Sequence, residues 1–336
     1  MAEPHARHDA RPTAPPRDGG GAWRAVLPVL RLMTTFALTL AGAALVIQLL
    51  LWAAPGDPVD LVPNGAEVRA QLEAEWGLNE PLLQRYGHFL LRALRGDLGT
   101  SFTYRPGATV TALVLPAAAR SLGVLLPALA LALAVGLGLG FLTAGRQSLL
   151  KRGLQAVSVA PVFLLAFIAV QVLNELAFRG MAAGLFARPS WFALPDAESG
   201  LKLTLAITVL AVGSGALAEV HAAVEDEIVR LRNAPFVDAA IARGAPAWRH
   251  VLWNLLPQLA TIASGRAAFF AGGLIIVEKV LHLNGVGSML WQSCRMRDYP
   301  VALGITLLAA AAVAGARLAG DLVRVVVDPR LRETGA

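Results

Sequence analysis

Charged residues are scarce in this chain of 336 residues, where they make up 15% of the sequence, against roughly 25% in an average soluble domain. Cysteine is almost absent. A single one, Cys294, excludes a disulfide framework or a multi-cysteine metal site within one chain. Hydrophobic residues make up 56% of the chain, and the mean hydropathy is +0.59. This composition indicates a protein that lies mostly in a lipid bilayer.

The sequence also lacks the common motifs of nucleotide and metal chemistry. No Gly-x-x-x-x-Gly-Lys-Ser/Thr phosphate loop occurs, and none of the three lysines follows a glycine. A His-Glu-x-x-His motif is absent, and the six histidines are scattered. We therefore expect no catalytic residues, no metal ligands and no cofactor bound to this chain, and we expect it not to be an enzyme.

Six segments are apolar enough to cross the bilayer, which takes about 20 residues as a helix. The second is free of charge and carries Gly136, Gly138 and Gly140, small residues that let helices approach closely. The predicted spans are 32–54, 122–144, 156–174, 203–218, 259–277 and 301–320.

Basic residues predict the orientation, because lysine and arginine near span ends stay on the cytoplasmic side. They cluster before the first span, between the second and third spans, and after the sixth: Arg7, Arg11, Arg17, Arg24, Arg31; Arg146, Lys151, Arg152; Arg324, Arg330, Arg332. We therefore expect both termini in the cytoplasm of a multi-pass protein of the cytoplasmic membrane.

This topology divides the chain into a disordered leader (1–22), a first span (23–54), an external segment (55–121), a helical core (122–332) and a short tail (333–336). Apolar residues recur unevenly over 67–95 and predict short helices on the outer surface. Those helices would form either a cap on the bundle or a binding surface.

The cytoplasmic segment 225–257 carries eight charges that sum to zero, so it is not a polybasic membrane tether. Gly244 suits the left-handed position that ends a helix, and Pro246 suits the first turn of the next. We expect a helix, a sharp turn and a second short helix. They would fit another protein's groove or, alternatively, pack on their own bundle.

Asp238-Ala239-Ala240, Gly244 and Pro257 resemble, in order and spacing, the EAA loop of permease subunits of ATP-binding-cassette (ABC) importers. The wider chain, from about residue 25 to 332, is similar to the dipeptide, oligopeptide and nickel branch of that family. The matching motifs are Pro55-Gly56-Asp57-Pro58, Gly77-Leu78-Asn79-Glu80-Pro81-Leu82, Gly96-Asp97-Leu98-Gly99-Thr100-Ser101, Pro161-Val162-Phe163, Glu278 ahead of Gly285-Val286-Gly287, Arg297-Asp298-Tyr299-Pro300, and Asp321 ahead of Asp328-Pro329-Arg330.

The resemblance implies an all-α, six-span, type I (MetI-like) permease fold that forms a pathway for peptides or a similar solute. It implies three protein partners: a cytoplasmic ATPase that holds ATP and Mg²⁺, a second permease subunit and an external solute-binding protein. The coupling helix between spans four and five would seat in the ATPase through Asp238, Ala239, Ala240, Gly244, Ala245 and Pro246.

The sequence departs from the family pattern at three places. Asp238 stands where the family has glutamate, the Gly244 to Pro257 interval is short for the peptide branch, and Arg266 lies in the fifth span. Arg266 would either line the pathway or pair with an acid of the partner subunit, since buried charges face protein or water. Glu278, about 18 Å further along the helix, is a second candidate for the pathway. Arg317 and Asp321 suggest a local ion pair.

Two other classes of protein compete with the permease. An ion-coupled secondary transporter should show an acidic or histidine relay near the midplane and inverted repeats of broken helices, and neither is evident in the sequence. An intramembrane enzyme needs a nucleophile and a base deep in the spans. Ser158, Ser214 and Ser264 lie in or near spans, but no histidine lies comparably deep.

Overall fold

The computed structural model describes residues 21–53, 80–145, 149–184, 200–232, 234–244 and 246–327. Several expected features lie outside these residues: the leader to residue 20, the turn at 55–58, residues 67–79, Ala245 and the tail. The described helices are α1 (Gly21–Ala53), α2 (Leu82–Leu94), α3 (Val110–Thr143), α4 (Leu149–Val159), α5 (Val162–Ala182), α6 (Gly200–Gly213), α7 (Ala216–Arg232), α8 (Pro235–Ala242), α9 (Ala247–Leu281), α10 (Val286–Arg295) and α11 (Tyr299–Val327).

Within the described residues, five helices are long and apolar enough to cross a membrane, and a bent pair provides a sixth span. The bent pair is α6 with α7, which meet at 50°. The predicted all-α fold with six spans is confirmed. The spans are Val29–Val46, Val110–Thr143, Val162–Ala182, Leu252–Leu281, Tyr299–Arg324 and the pair Gly200–Gly213 with Ala216–Leu231.

The third predicted span, 156–174, is not one continuous helix. Ala160 and Pro161 separate α4 from α5, because proline has no N–H to donate and disfavours helical geometry in the residue before it. The apolar span therefore begins at Val162 and runs to Ala182, later at both ends than the sequence predicts.

The fourth span is broken as well, at Ser214 and Gly215. Gly215 has φ +73°, in the left-handed region that a residue with a side chain rarely adopts. Beyond the break, α7 continues to Arg232, well past the predicted end at residue 218. A single bent span thus leads directly into the segment expected to be cytoplasmic.

Two glycines let α3 and α7 pack backbone to side chain. A Cβ atom added at Gly136 would lie 2.8 Å from Val220 Cβ, and one at Gly140 would lie 2.6 Å from Val224 Cβ. Gly138, on another side of α3, would meet nothing within 4 Å. The close approach expected from these small residues is therefore made by two of the three.

A hydrogen bond also joins α3 and α7. It connects Thr143 Oγ1 with Nε2 of the buried His221 at 2.7 Å. Lys151 of α4 lies 2.6 Å from the Glu225 carboxylate of α7. These two contacts join α3, α4 and α7 in the part of α7 that leads to α8.

The described part of the external segment packs on the bundle. Tyr86 of α2 donates a 2.7 Å hydrogen bond to the carbonyl of Ala41 in α1, and Phe89 is buried. Leu83 and Leu94 remain exposed, so one face of α2 covers the bundle and another is open.

The ion pair predicted between Arg317 and Asp321 is wrong in its partner. Asp321 instead lies 4.0 Å from Arg324 Nη1, one turn further along α11. A cation is favoured there because the carbonyl end of a helix carries partial negative charge. Both side chains are half exposed, and such pairs contribute little to stability.

We predict that Gly140→Ala destabilises the protein, because the added Cβ would force α3 away from Val224. Overpacking of this kind costs about 1–3 kcal/mol. Gly138→Ala is the matched control, with open space beside it and the usual helix gain of about 0.5–1 kcal/mol. Thermal unfolding of the purified chain in detergent compares the two variants, and an equal response of both would contradict the packing.

Candidate coupling turn and translocation path

The segment between α7 and α9, which we term the coupling turn, consists of α8 with Arg243, Gly244 and Pro246. Pro235 occupies the first helical position of α8, where its missing N–H costs nothing. Gly244 follows α8 with φ +78°, and its N–H donates to the carbonyl of Ile241 at 2.8 Å. The left-handed glycine predicted from the sequence is confirmed, while the neighbouring Ala245 lies outside the described residues.

The second helix after the turn is not short. Pro246 precedes α9, which runs 35 residues from Ala247 to Leu281 and includes Pro257 in its interior. The prediction of a second short helix is therefore wrong. A long span can carry a proline such as Pro257 when its freed backbone groups find other partners. The coupling turn is consequently attached directly to a membrane-spanning helix.

The two faces of α8 differ in burial. Val237 and Ala240 are buried, and Val237 joins an apolar cluster with α7 and α9 residues that includes Val224, Leu231 and Leu255.

The opposite face of α8 is open. Asp238 and Ala239 are exposed, as are the large apolar side chains of Phe236 and Ile241, each about half exposed. Of the residues predicted to touch an ATPase, Asp238, Ala239 and Gly244 are thus available on the surface, whereas Ala240 packs within the chain. Sequence reasoning overlooked Phe236 and Ile241, although large apolar side chains beside the motif are a usable signal.

Arg266 finds its acid within the same chain. Its Nε donates to Glu219 of α7, and its Nη1 donates to the carbonyl oxygen of Ser214 at 3.0 Å. The guanidinium carbon also lies 5.2 Å from the centre of the Phe269 ring. Glu219 is the residue that the sequence reading missed as a partner, because 47 positions separate it from Arg266.

The contact of Arg266 with Ser214 bridges the break in the fourth span. Gly215 lies so close to the guanidinium that an added Cβ would meet Nη1 at 3.3 Å. An arginine donor at this place satisfies a carbonyl at the point where the helix is interrupted, as backbone groups inside a membrane require.

Glu278 is placed differently from Arg266. It is 1% exposed, and its carboxylate accepts hydrogen bonds from Ser121 Oγ at 2.5 Å and from the N–H of Gly287 at 2.7 Å. Ser121 in turn accepts from the N–H of Val286. Glu278 therefore caps the start of α10, where helix N–H groups favour an anion. A Cβ at Gly285 would collide with this carboxylate, and one at Gly287 would collide with the backbone of Ile275, which accounts for the Gly-Val-Gly sequence.

A second buried carboxylate joins two motifs that are about 200 positions apart. Asp298 Oδ2 accepts from Ser101 Oγ at 2.6 Å and from the N–H groups of Thr103 at 3.0 Å and Tyr104 at 2.8 Å. Its Oδ1 faces the N–H of Val301 at 3.4 Å, in the first turn of α11. Asp298 thus fastens the loop after α2 to α11.

The same loop holds a more exposed carboxylate. Asp97 accepts from Arg92 Nε at 2.8 Å and from the N–H of Gly99 at 2.9 Å. These hydrogen bonds, the Arg92 bond first, hold the pKa of Asp97 below its ordinary value.

We predict that Asp298→Ala lowers the stability of the chain by about 1.5–3 kcal/mol, because it leaves buried donors of Ser101, Thr103 and Tyr104 without their acceptor. Arg295→Ala, an exposed change at the end of α10, is the control and should be neutral. Thermal unfolding in detergent measures both, and an Asp298→Ala variant as stable as the control would show that the loop does not depend on this carboxylate.

Comparison with known proteins places this geometry in a family. The family described as "Binding-protein-dependent transport system inner membrane component" matches residues 132–333, a stretch that includes the broken fourth span, the coupling turn and α9.

The relatives are similar along nearly their whole length. A protein of Brucella suis biovar 1 named as a peptide permease is 29% identical over 318 residues, 90% of this chain and 98% of the relative. The oligopeptide transport system permease protein AppB of Bacillus subtilis is 28% identical, covering 87% of this chain and 95% of the relative. The dipeptide transport system permease protein DppB of Lactococcus lactis is 26% identical, covering 90% and 98%.

The family match covers more than half of the chain and includes the coupling turn with the spans on either side of it. This chain therefore belongs to the family of binding-protein-dependent transport system inner membrane components and is a permease subunit of an ABC importer.

Proposed function

We propose that this chain forms, with a second permease subunit, the passage of an importer for peptides. A separate cytoplasmic ATPase would bind the coupling turn and supply the energy, and an external solute-binding protein would deliver the cargo. The observation that carries the proposal is the coupling turn itself: a short helix between two spans, with one face packed on its own chain and the other open.

The open face of α8 has the chemistry of a docking surface for protein. Phe236 and Ile241 are about half exposed, next to the small Ala239 and the charged Asp238. Trp248, at the start of α9, is exposed as well. Large apolar groups with small neighbours suit a groove in a partner, and the eight charges of 225–257 would not hold this segment on a lipid surface.

The buried face explains how movement would reach the membrane. Val237 packs with Leu231 of α7 and Leu255 of α9, so displacing α8 displaces both helices. Packed helices move as rigid bodies because their interfaces do not deform continuously. A two-state ATPase seated on α8 would thereby bias two states of the spans, which is coupling without catalysis in this chain.

Peptides are the cargo that the relatives favour. The AppB relative is named for oligopeptide transport and the DppB relative for dipeptide transport, and both cover most of this chain. We extend that cargo class to this protein, with both termini on the cytoplasmic side of the cell membrane, as the arginine distribution predicts.

Ion-coupled transport is the competing function, and a broken span with an acid near its break is a feature that it would use. Glu219 is, however, already paired with Arg266 of the same chain. The importer therefore explains this residue better than a proton relay does.

The experiment on partners is to purify the tagged chain gently from its native membrane and to identify what accompanies it by mass spectrometry. We expect an ATPase, a second six-span permease and a solute-binding protein. A correctly inserted chain that brings down no ATPase under any nucleotide condition would contradict the proposal.

We predict that Gly244→Val detaches the ATPase while the chain still inserts. Gly244 has φ +78°, and forcing a β-branched residue into that region costs about 1–3 kcal/mol, so the turn would change shape. Gly244→Asn is the matched control, since asparagine tolerates the left-handed region. Co-purification of the ATPase measures both, and normal binding and transport by Gly244→Val would reject the coupling role.

A further inference from the structure

Arg266 and Glu219 meet near the middle of the span that α9 provides. Arg266 lies 14 residues after the start and 15 before the end of the span Leu252–Leu281. Glu219 lies four residues past Gly215, close to the break in the fourth span. The ion pair therefore lies near the middle of the α9 span and close to the break in the fourth span.

The pair is not enclosed by its own chain. The Arg266 side chain is 26% exposed and that of Glu219 is 42% exposed. Charges at this depth face protein or water, because exposing them to hydrocarbon is expensive. The open side of the pair therefore faces either water in a passage or another subunit.

The backbone around the pair favours the passage. Two breaks in helical structure lie close together, since Val162, next to the Ala160–Pro161 break, contacts Gly213, next to the Ser214–Gly215 break. Non-helical backbone at membrane depth is found where it is buried in protein or lines a water-filled cavity.

The neighbouring surface of α9 leaves room beside the pair. Gly265, Ala268 and Gly272 are exposed, and a Cβ at either glycine would meet nothing within 4 Å. A partner's acid is not needed to neutralise Arg266, because Glu219 already does so. This removes the main reason to place a subunit contact here.

Arg266 and Glu219 also keep hydrogen-bonding groups that could bind a solute. The described hydrogen bonds use Nε and Nη1 of Arg266 and Oε2 of Glu219. They leave the two N–H donors of Nη2 and the acceptor Oε1 without a partner among the described residues, so both side chains can still bind a solute.

We propose that Arg266 and Glu219 form a charge-balanced pair that lines the passage at mid-depth and sets its tolerance for the charge of the cargo. This inference rests on the proposed import of peptides. A single arginine would attract acidic peptides and repel basic ones, and a single glutamate would do the reverse. The pair presents no net charge, so peptides of either sign pass.

The test is uptake of acidic, neutral and basic peptides of equal length by the complete importer, with each variant compared with wild type. This comparison cancels the preference of the binding protein, which is the same in every case. Glu219→Gln should raise the ratio of acidic to basic uptake about three- to tenfold, and Arg266→Gln should lower it by a similar factor, as expected for one unpaired charge at a few ångströms. The double variant should restore the wild-type ratio.

Glu175 and Arg179 provide the matched control, because they form an exposed ion pair on α5 that lies toward one end of its span. Neither Glu175→Gln nor Arg179→Gln should shift the ratio. Equal loss of all three cargoes in both Arg266→Gln and Glu219→Gln, with no change of ratio, would overturn the inference and leave a structural pair. Absence of ATP-dependent peptide uptake by the wild-type importer would instead overturn the proposed function.

A second measurement does not depend on transport by the charge variants. In a Cys294→Ser background, the thiol introduced by Ala268→Cys should react with a charged, water-soluble thiol reagent in the assembled importer, and peptide cargo should slow the reaction. Leu38→Cys, on the exposed apolar surface of α1, is the control that we expect to face lipid and not to react. An unreactive thiol at position 268 would show that no water reaches this surface, and would overturn the inference.

Discussion

Polar groups at the depth of the hydrocarbon must find their partners inside the protein, and the architecture around the fourth span follows from how one arginine meets that requirement. Gly215 turns the chain, the break exposes the carbonyl of Ser214, and Arg266 of α9 donates to it. The same guanidinium neutralises Glu219 at the start of α7. One side chain therefore satisfies a backbone acceptor and an acid, and ties the two helices that flank the coupling turn. Without it, the Ser214 carbonyl and the Glu219 carboxylate would lose these hydrogen bonds.

Beyond Glu219, contacts with α3, α4 and α8 hold α7 along its length. Gly136 and Gly140 bring α3 against Val220 and Val224, and Lys151 of α4 meets the Glu225 carboxylate. At its end, Leu231 packs with Val237 of α8. Contacts this close do not shear gradually, because interiors are packed like crystals of small molecules. Displacement of the coupling turn by a partner would consequently move α7, including Glu219, as a rigid body.

The sequence predicts those parts that depend on local chemistry. The six spans follow from runs of apolar residues, and the turn at Gly244 follows from a glycine and a proline two positions apart. The parts it does not predict join distant residues: Arg266 with Glu219 across 47 positions, Ser121 with Glu278 across 157, and Ser101 with Asp298 across 197. Glu278 illustrates the limit. From the sequence it is a charge near a span end, and only its enclosure by Ser121 and Gly287 identifies it as a helix cap. The break in the fourth span and the later start of the third are not predicted for a similar reason, since Gly215 and Pro161 are compatible with a continuous apolar segment when judged by composition alone.

The distribution of these hydrogen bonds and apolar contacts indicates where the chain can bend. At one end of the bundle, Glu278 and Asp298 hold α10, α11 and the loop after α2 through buried, charge-assisted hydrogen bonds, which are the stronger kind. At the other end, α7, α8 and the start of α9 share one apolar cluster. Between them lies the Ser214–Gly215 break, where the helical hydrogen-bond ladder is interrupted and a left-handed glycine sets the direction of the chain. Hinges absorb changes of φ and ψ at a few residues at the ends of elements. Displacement of α7 relative to the fixed end would therefore be taken up at this break.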